Sequence, residues 1–227
     1  VASAKEVDLY DVVGSFVSDH TMEAGGQEIT HPRIVIASGA RPQIPSIPGL
    51  EGVKYHTYRT IFDVEERPES IVILGGGYIG CEFAHFFSSV GSKVTLIGRN
   101  PVLLPHEEPE TSALVKARLS RNVDVMTGAE VVSVVAADGG VVVRTPDPSG
   151  EGLRESRGQH LLVAAGVRSN SDWLRPERTG VKTDGKGWIL TNQHLETSKP
   201  GIFALGDALG HNMFRHTANY QAGIVEH

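Results

Sequence analysis

The sequence predicts an α/β fold: a Rossmann-like parallel sheet wound by helices, with an antiparallel β-meander after it. Three observations lead there. An apolar run, Ile71-Val-Ile-Leu74, runs into glycines and then into a helical pattern. Two further apolar runs, Val94-Thr-Leu-Ile97 and Val123-Asp-Val125, each follow a helical stretch, so residues 71 to 125 read β-α-β-α-β. That alternation implies a parallel sheet with right-handed crossovers. Residues 129 to 165 then change to short β runs broken by turn residues, the pattern of a meander.

Taken in order, residues 7 to 40 read as β-structure. Val7, Leu9, Val12 and Val13 lead to Gly14-Ser-Phe-Val-Ser18, then a turn at Glu23-Ala-Gly-Gly-Gln27, then the apolar run Ile34-Val-Ile-Ala37. The prolines at 42, 45 and 48 cannot continue a helix or a central strand, and read as a stiff connector. A helix is expected from about Tyr78 to Gly91, because glycine accepts the left-handed stop conformation. Pro109 suits a first helical position, and that helix is expected to place Ala113, Leu114 and Ala117 on one face. Val131-Val-Ser-Val-Val135, Gly140-Val-Val-Val-Arg144 and His160-Leu-Leu-Val-Ala164 are the expected meander strands. After Gly166 the chain is turn-rich until a strand at Gly201-Ile-Phe-Ala-Leu-Gly-Asp207, and a last helix is expected from about His216.

Composition removes several classes. A formal net charge of -6 argues against nucleic acid or an anionic membrane as partner. No run of 18 apolar residues could span a bilayer. The opening Val1-Ala-Ser-Ala-Lys-Glu-Val-Asp8 shows no basic region followed by an apolar core, so no leader is read there. Cys81 is the single cysteine, which rules out an internal disulfide and makes the cytoplasm the expected compartment. Its place in a first helical turn reads as a small packing residue, not a redox thiol. The histidines show no metal-ligand spacing, and no metal is expected.

The chemistry concentrates at Gly75-Gly-Gly77-Tyr-Ile-Gly80, which fits G-x-G-x-x-G between a strand and a helix. Gly75 allows the tight turn, Gly77 lets a pyrophosphate approach the backbone, and Gly80 lets the helix pack closely. The helix start, with Tyr78 and Ile79, supplies N–H groups and a partial positive charge for phosphates. At the end of the next strand an acidic residue would bind the ribose 2′-hydroxyl of NAD. Gly98 and Arg99 stand there instead. A guanidinium suits the 2′-phosphate of NADP, so NADPH is expected over NADH.

Four motifs in order then resemble the flavoprotein pyridine nucleotide–disulfide oxidoreductases, the family of dihydrolipoamide dehydrogenase and the glutathione, mycothione and mercuric reductases. Ile36-Ala-Ser-Gly-Ala-Arg-Pro42 is similar to the family's first crossover, and residues 75 to 82 to its nucleotide fingerprint. Val163-Ala-Ala-Gly-Val-Arg-Ser-Asn170 is similar to its second crossover, and Thr197-Ser-Lys-Pro-Gly-Ile-Phe-Ala-Leu-Gly-Asp207 to its flavin-ribityl motif. The resemblance implies an NAD(P)-binding domain at 45–166 inserted in part of an FAD-binding domain at 1–44 and 167–227. It implies cofactor contacts at Ser38, Gly39, Gly166, Gly206 and Asp207, the last to a ribityl hydroxyl of FAD. Backbone contacts to the flavin carbonyl are expected at His216 and Ala218. Tyr78 would cover the flavin until nicotinamide displaces it, and Glu82 would lie near the flavin.

The sequence departs from the family pattern in places. Val167 and Ser169 stand where Arg and Pro are usual in the second crossover. Pro105 stands where NADPH users often carry a second arginine, with His106 beside it, and Gly80 is more typical of NAD users. The family's flavin fingerprint and cysteine pair lie before the start of this sequence, and its dimerisation domain lies after the end. The expectation is a central portion of a homodimeric FAD enzyme that reduces a disulfide, inactive by itself. The alternatives are a flavin-dependent oxidase or ferredoxin reductase without a cysteine pair, and a non-catalytic nucleotide-binding module.

Overall fold

A computed structural model describes residues 7–226; of the stretch read for a leader, residues 1–6 lie outside the described residues. The chain forms two compact units, Pro42–Gly166 on one hand and Val1–Arg41 with Val167–His227 on the other. It starts in the discontinuous unit, builds the continuous one, and returns.

The discontinuous unit opens with three strands, β1 (Gly14–Ser18), β2 (Thr21–Ala24) and β3 (Gln27–Thr30), paired antiparallel in sequence order. The second hairpin turns at Gly25 and Gly26, with φ of 61° and 81°. Two successive left-handed residues give a turn whose twist matches its strands. Residues 7–13, expected as β-structure, form no strand, and Val13 is 75% exposed. Apolar composition alone provides no partner for a ladder, and a strand needs one. The short strands β4 (Ile34–Ile36) and β5 (Ala40–Pro42) end this first pass.

In the continuous unit come β6 (Ser70–Leu74), α1 (Tyr78–Ser89), β7 (Lys93–Gly98), α2 (Pro109–Leu119) and β8 (Val123–Thr127). They are followed by β9 (Ser133–Ala137), β10 (Gly140–Pro146), β11 (Leu153–Gly158) and β12 (His160–Val163). One sheet is four-stranded and parallel, in the order β12-β6-β7-β8. The other is the antiparallel meander β11-β10-β9.

This corrects one expectation. The His160 run is not the third meander strand; it pairs parallel with β6, His160 opposite Ile71. Leu161, Leu162 and Val163 are all buried, as in a strand covered on both faces. The third meander strand is Leu-Arg-Glu-Ser-Arg-Gly, where only Ser156 and Gly158 are buried. Its polar sequence hides it.

Alternation along β6 divides the core. Ile71 and Ile73 pack on one face with Ala84, Phe87 and Leu119 from the helices. Val72 and Leu74 pack on the other with Leu50, Val134, Val141 and Val143. A period of two sends neighbours to opposite faces. Helix α1 stops where expected, before Gly91 at φ 89°. Helix α2 starts on Pro109 as expected, but its inward face differs. Ala113, Leu114 and Ala117 are exposed, while Ser112 and Leu119 are buried. Ser112 Oγ donates to the Leu104 carbonyl at 3.1 Å, a polar anchor that fixes the rotation of the helix.

Back in the discontinuous unit, β13 (Val167–Ser169) pairs with β5, and α3 (Ser171–Leu174) follows. Strand β14 (Ile202–Ala204) runs parallel to β4, and α4 (Arg215–Glu226) ends the description. The core here is Phe16, Ile36, Ile189, Leu195, Ile202 and Ala204 with their neighbours. Arg41 is buried and ties the two passes together. Its guanidinium donates to both carboxylate oxygens of Asp172, to the Ser169 carbonyl and to Asn170 Oδ1, and lies 4.5 Å over the Trp173 ring. The hydrogen bonds from Arg41 hold the Asp172 carboxyl below the usual carboxylate range.

Candidate functional site

The loop between β6 and α1 uses its glycines for different reasons. Gly75 has φ 126°, and a Cβ there would lie 2.1 Å from the Ala164 carbonyl oxygen. A Cβ on Gly80 would lie 1.8 Å from the Gly75 carbonyl oxygen, so the helix start rests directly on the turn. Gly77 is the opposite case: nothing lies within 4 Å of a Cβ placed there. Its backbone faces open space. Gly77 caps α1 without a side chain, and the first helical bond runs from the Cys81 N–H to the Gly77 carbonyl at 3.0 Å. The earlier N–H groups, those of Ile79 and Gly80 among them, stay outside the helical ladder. A helix N-terminus of this kind, open and carrying partial positive charge, receives anions.

Around the loop, Gly98 ends β7 with its Cβ position 3.4 Å from the Gly76 Cα, so strand end and loop touch. Arg99 is exposed, and among the described residues it forms no ion pair. His106 is exposed. The Tyr78 hydroxyl donates to the Glu107 carboxylate, and that bond raises the phenol's pKa above its ordinary value. Glu82 is exposed on α1. Cys81 is buried, and its thiol is pushed up to about 11 by burial, with the charge of Glu82 adding to it. Only the thiolate is nucleophilic, so this cysteine is inert at neutral pH.

A second group of expected residues gathers in the discontinuous unit. Ala37, Gly39, Leu205, Gly206, Asp207 and Ala218 line a cavity of about 370 Å³. Gly206 sits at φ 68°, and its N–H donates to Gln221 Oε1 at 2.7 Å. Ser38 Oγ is buried with no hydrogen-bond partner among the described residues, while the Ser38 carbonyl accepts from Asn170 Nδ2 at 2.8 Å. Gly166 lies in the other unit, its carbonyl accepting from the Gln43 N–H at 3.0 Å. His216 is exposed in the first turn of α4. The Ala218 N–H donates to the Phe214 carbonyl at 3.0 Å, and Ala218 is one of the residues that line the cavity. Two residues that sequence reasoning did not single out are Glu107 and Gln221. Their partners lie 29 and 15 residues away, and no local pattern marks them.

A parallel sheet with a glycine turn at one strand end, and a second unit closed by a return of the chain, define a Rossmann-like α/β protein. The family model described as pyridine nucleotide-disulphide oxidoreductase matches residues 3–222. The mercuric reductase of Staphylococcus aureus is 34% identical over 219 residues, 96% of this chain and 40% of that protein. The mycothione reductase of Mycobacterium tuberculosis is 37% identical over 202 residues, 89% of this chain and 43% of that protein. Among solved structures, a Cu(II) complex of RclA from Escherichia coli, an HOCl-induced flavoprotein disulfide reductase, superposes with a TM-score of 0.89 at 28% identity, covering 99% of this chain and 51% of that one. The chain belongs to the pyridine nucleotide–disulfide oxidoreductase family, and it spans about 40% of the length of the curated relatives it matches.

Proposed function

We propose that the Pro42–Gly166 unit binds a pyridine nucleotide at the Gly75–Gly80 loop, NADPH in preference to NADH, and that the other unit supplies part of an FAD site. The observation that carries this reading is Gly77: the one glycine of the fingerprint's G-x-G-x-x-G positions with open space where a side chain would be, at the start of a helix whose first N–H groups lie outside the helical ladder. In this reading Ile79 and Gly80 offer N–H groups to the pyrophosphate. Arg99, exposed beside the end of β7, takes the 2′-phosphate.

The discontinuous unit suits a flavin nucleotide. A ribityl chain carries several hydroxyls, and Asp207 on the cavity wall is an acceptor for one of them. The buried Ser38 Oγ is a polar atom in need of a partner. Gly39 and Gly206 let a ligand approach the backbone, and the N-terminal turn of α4, with His216, favours negative charge on the flavin ring. When both cofactors are bound they supply hydride transfer from nicotinamide to flavin. The role of this chain's residues is to hold and orient them. Tyr78 shields the site until nicotinamide arrives, Glu82 stands near the flavin, and Gly166 lines the second crossover. In the whole protein the electrons go on to a disulfide, through a cysteine pair outside this sequence, in a cytoplasmic homodimer.

The test is a side-by-side titration of the chain with NADPH and NADH, repeated on Arg99→Ala. NADPH is expected to bind at least about 10-fold more tightly, and Arg99→Ala to cost about 10-fold for NADPH and less than about 3-fold for NADH. NADH binding as tightly as NADPH to the unsubstituted chain would overturn the cofactor choice. Binding of neither would overturn the site.

A further inference from the structure

We infer that Glu107 is a positioning residue: it holds the Tyr78 ring against the glycine loop, and a pyridine nucleotide enters fully only when the Tyr78–Glu107 hydrogen bond opens. This rests on the nucleotide site proposed above and adds a control on access to it.

The segment that carries Glu107 is folded onto the loop by its backbone. The Leu104 N–H donates to the Gly76 carbonyl at 2.8 Å, and the Leu103 side chain lies 3.0 Å from the Cβ position of Gly76. Leu104 itself holds φ 48°, a conformation that non-glycine residues take only where surrounding contacts impose it. The Glu107 N–H then donates to the Leu104 carbonyl at 2.9 Å, which closes a tight turn and brings the carboxylate to the start of α1. Tyr78 is the first residue of that helix, and its hydroxyl donates to the carboxylate. A phenol on a carboxylate is a charge-assisted bond, stronger than a neutral one.

Two effects follow for an incoming dinucleotide. The hydroxyl of the first helical residue is tethered to the segment that follows β7, at the helix start that would take the pyrophosphate, and a negative charge stands near a site that must receive an anion. Substitutions separate the two. Glu107→Ala removes tether and charge. Glu107→Gln removes the charge and keeps an acceptor for the hydroxyl. Tyr78→Phe removes the tether and keeps the charge.

The experiment measures NADPH affinity for the full chain and these variants, together with the double variant Tyr78→Phe/Glu107→Ala. A second readout, made without nucleotide, is the titration of the Tyr78 phenol by NMR of ¹³C-labelled tyrosine. Glu107→Ala is expected to bind NADPH about 10-fold more tightly, the low end for a hydrogen bond to a charged group. Tyr78→Phe should gain about 3-fold, Glu107→Gln should fall between the unsubstituted chain and Glu107→Ala, and the double variant should gain no more than Glu107→Ala alone. The phenol should titrate at lower pH in Glu107→Ala than in the unsubstituted chain. Gains that simply add in the double variant, unchanged affinity, or a phenol that titrates alike with and without Glu107 would each overturn the inference while leaving the nucleotide site in place. An unsubstituted chain that binds neither NADPH nor NADH would remove the site and this inference with it.

Discussion

Gly75 and Gly77 stand two residues apart and should fail in different ways. At Gly75 an alanine would need φ near 126° and would place its methyl 2.1 Å from the Ala164 carbonyl oxygen. Gly75→Ala is expected to lose roughly 2–4 kcal/mol of stability, measured by urea unfolding. Gly77 holds φ -84° and ψ -170°, which alanine adopts freely, and has no neighbour to meet. Gly77→Ala should unfold at the same urea concentration as the unsubstituted chain and yet bind NADPH at least about 10-fold more weakly, because the methyl occupies the approach. Equal loss of stability in both variants would mean that Gly77 serves the fold and not a ligand. Cys81 gives a second residue-scale prediction. With its thiol pushed up to about 11 and buried, it should react with a disulfide reagent at pH 8 at least about 100-fold more slowly than in the unfolded chain. The fingerprint glycines were legible in the sequence because a turn, an open face and a helix contact each exclude side chains locally. The Tyr78–Glu107 bond was not, because it depends on how residues 99 to 107 fold back after β7.

At the scale of elements, the strand–helix alternation from β6 to β8 reads directly from apolar periodicity, and the stop of α1 from a single glycine at 91. The exceptions share a cause. Strand β11 buries only Ser156 and Gly158, and α2 turns inward on Ser112, so polar residues decide both and hydrophobic patterning misses them. Helix α4 is a similar case. Gln221 is 7% exposed, and its amide oxygen takes the Gly206 N–H, which fixes the turn that presents Asp207. Gln221→Leu fills the same space but leaves that N–H unsatisfied. It should cost about 1–3 kcal/mol in chemical denaturation, and the full-length protein should retain less flavin on dilution. Unchanged stability would show that the Gly206 turn holds without α4.

For the whole molecule, two of the four sequence motifs, the crossovers, fall at the passages of the chain between its units, near residues 41 and 166, and Arg41 gathers Ser169, Asn170 and Asp172. The parallel sheet of the continuous unit also carries a pH dependence. His56 Nδ1 donates to the Thr60 carbonyl at 3.3 Å, so its Nε2 accepts from His160 Nδ1 at 2.9 Å. Burial, with His56 and Lys54 adding to it, lowers the pKa of His160. The unfolded chain, where a histidine titrates near ~6.5, therefore binds this proton more readily than the folded chain. The contribution of His160 is fully present above about pH 6.5 and is lost as pH falls below it. His160→Gln should flatten the fall in stability between about pH 7 and pH 5.5; an equally steep fall would assign it to other groups. The central claim, that this chain serves a pyridine nucleotide and a flavin in a longer enzyme, is tested most directly on the natural gene product purified from its source. We expect a yellow protein whose visible flavin band bleaches when NADPH is added without oxygen, and far less readily when Gly77 is alanine. A colourless protein, or a flavin band that neither NADPH nor NADH bleaches, would contradict the account.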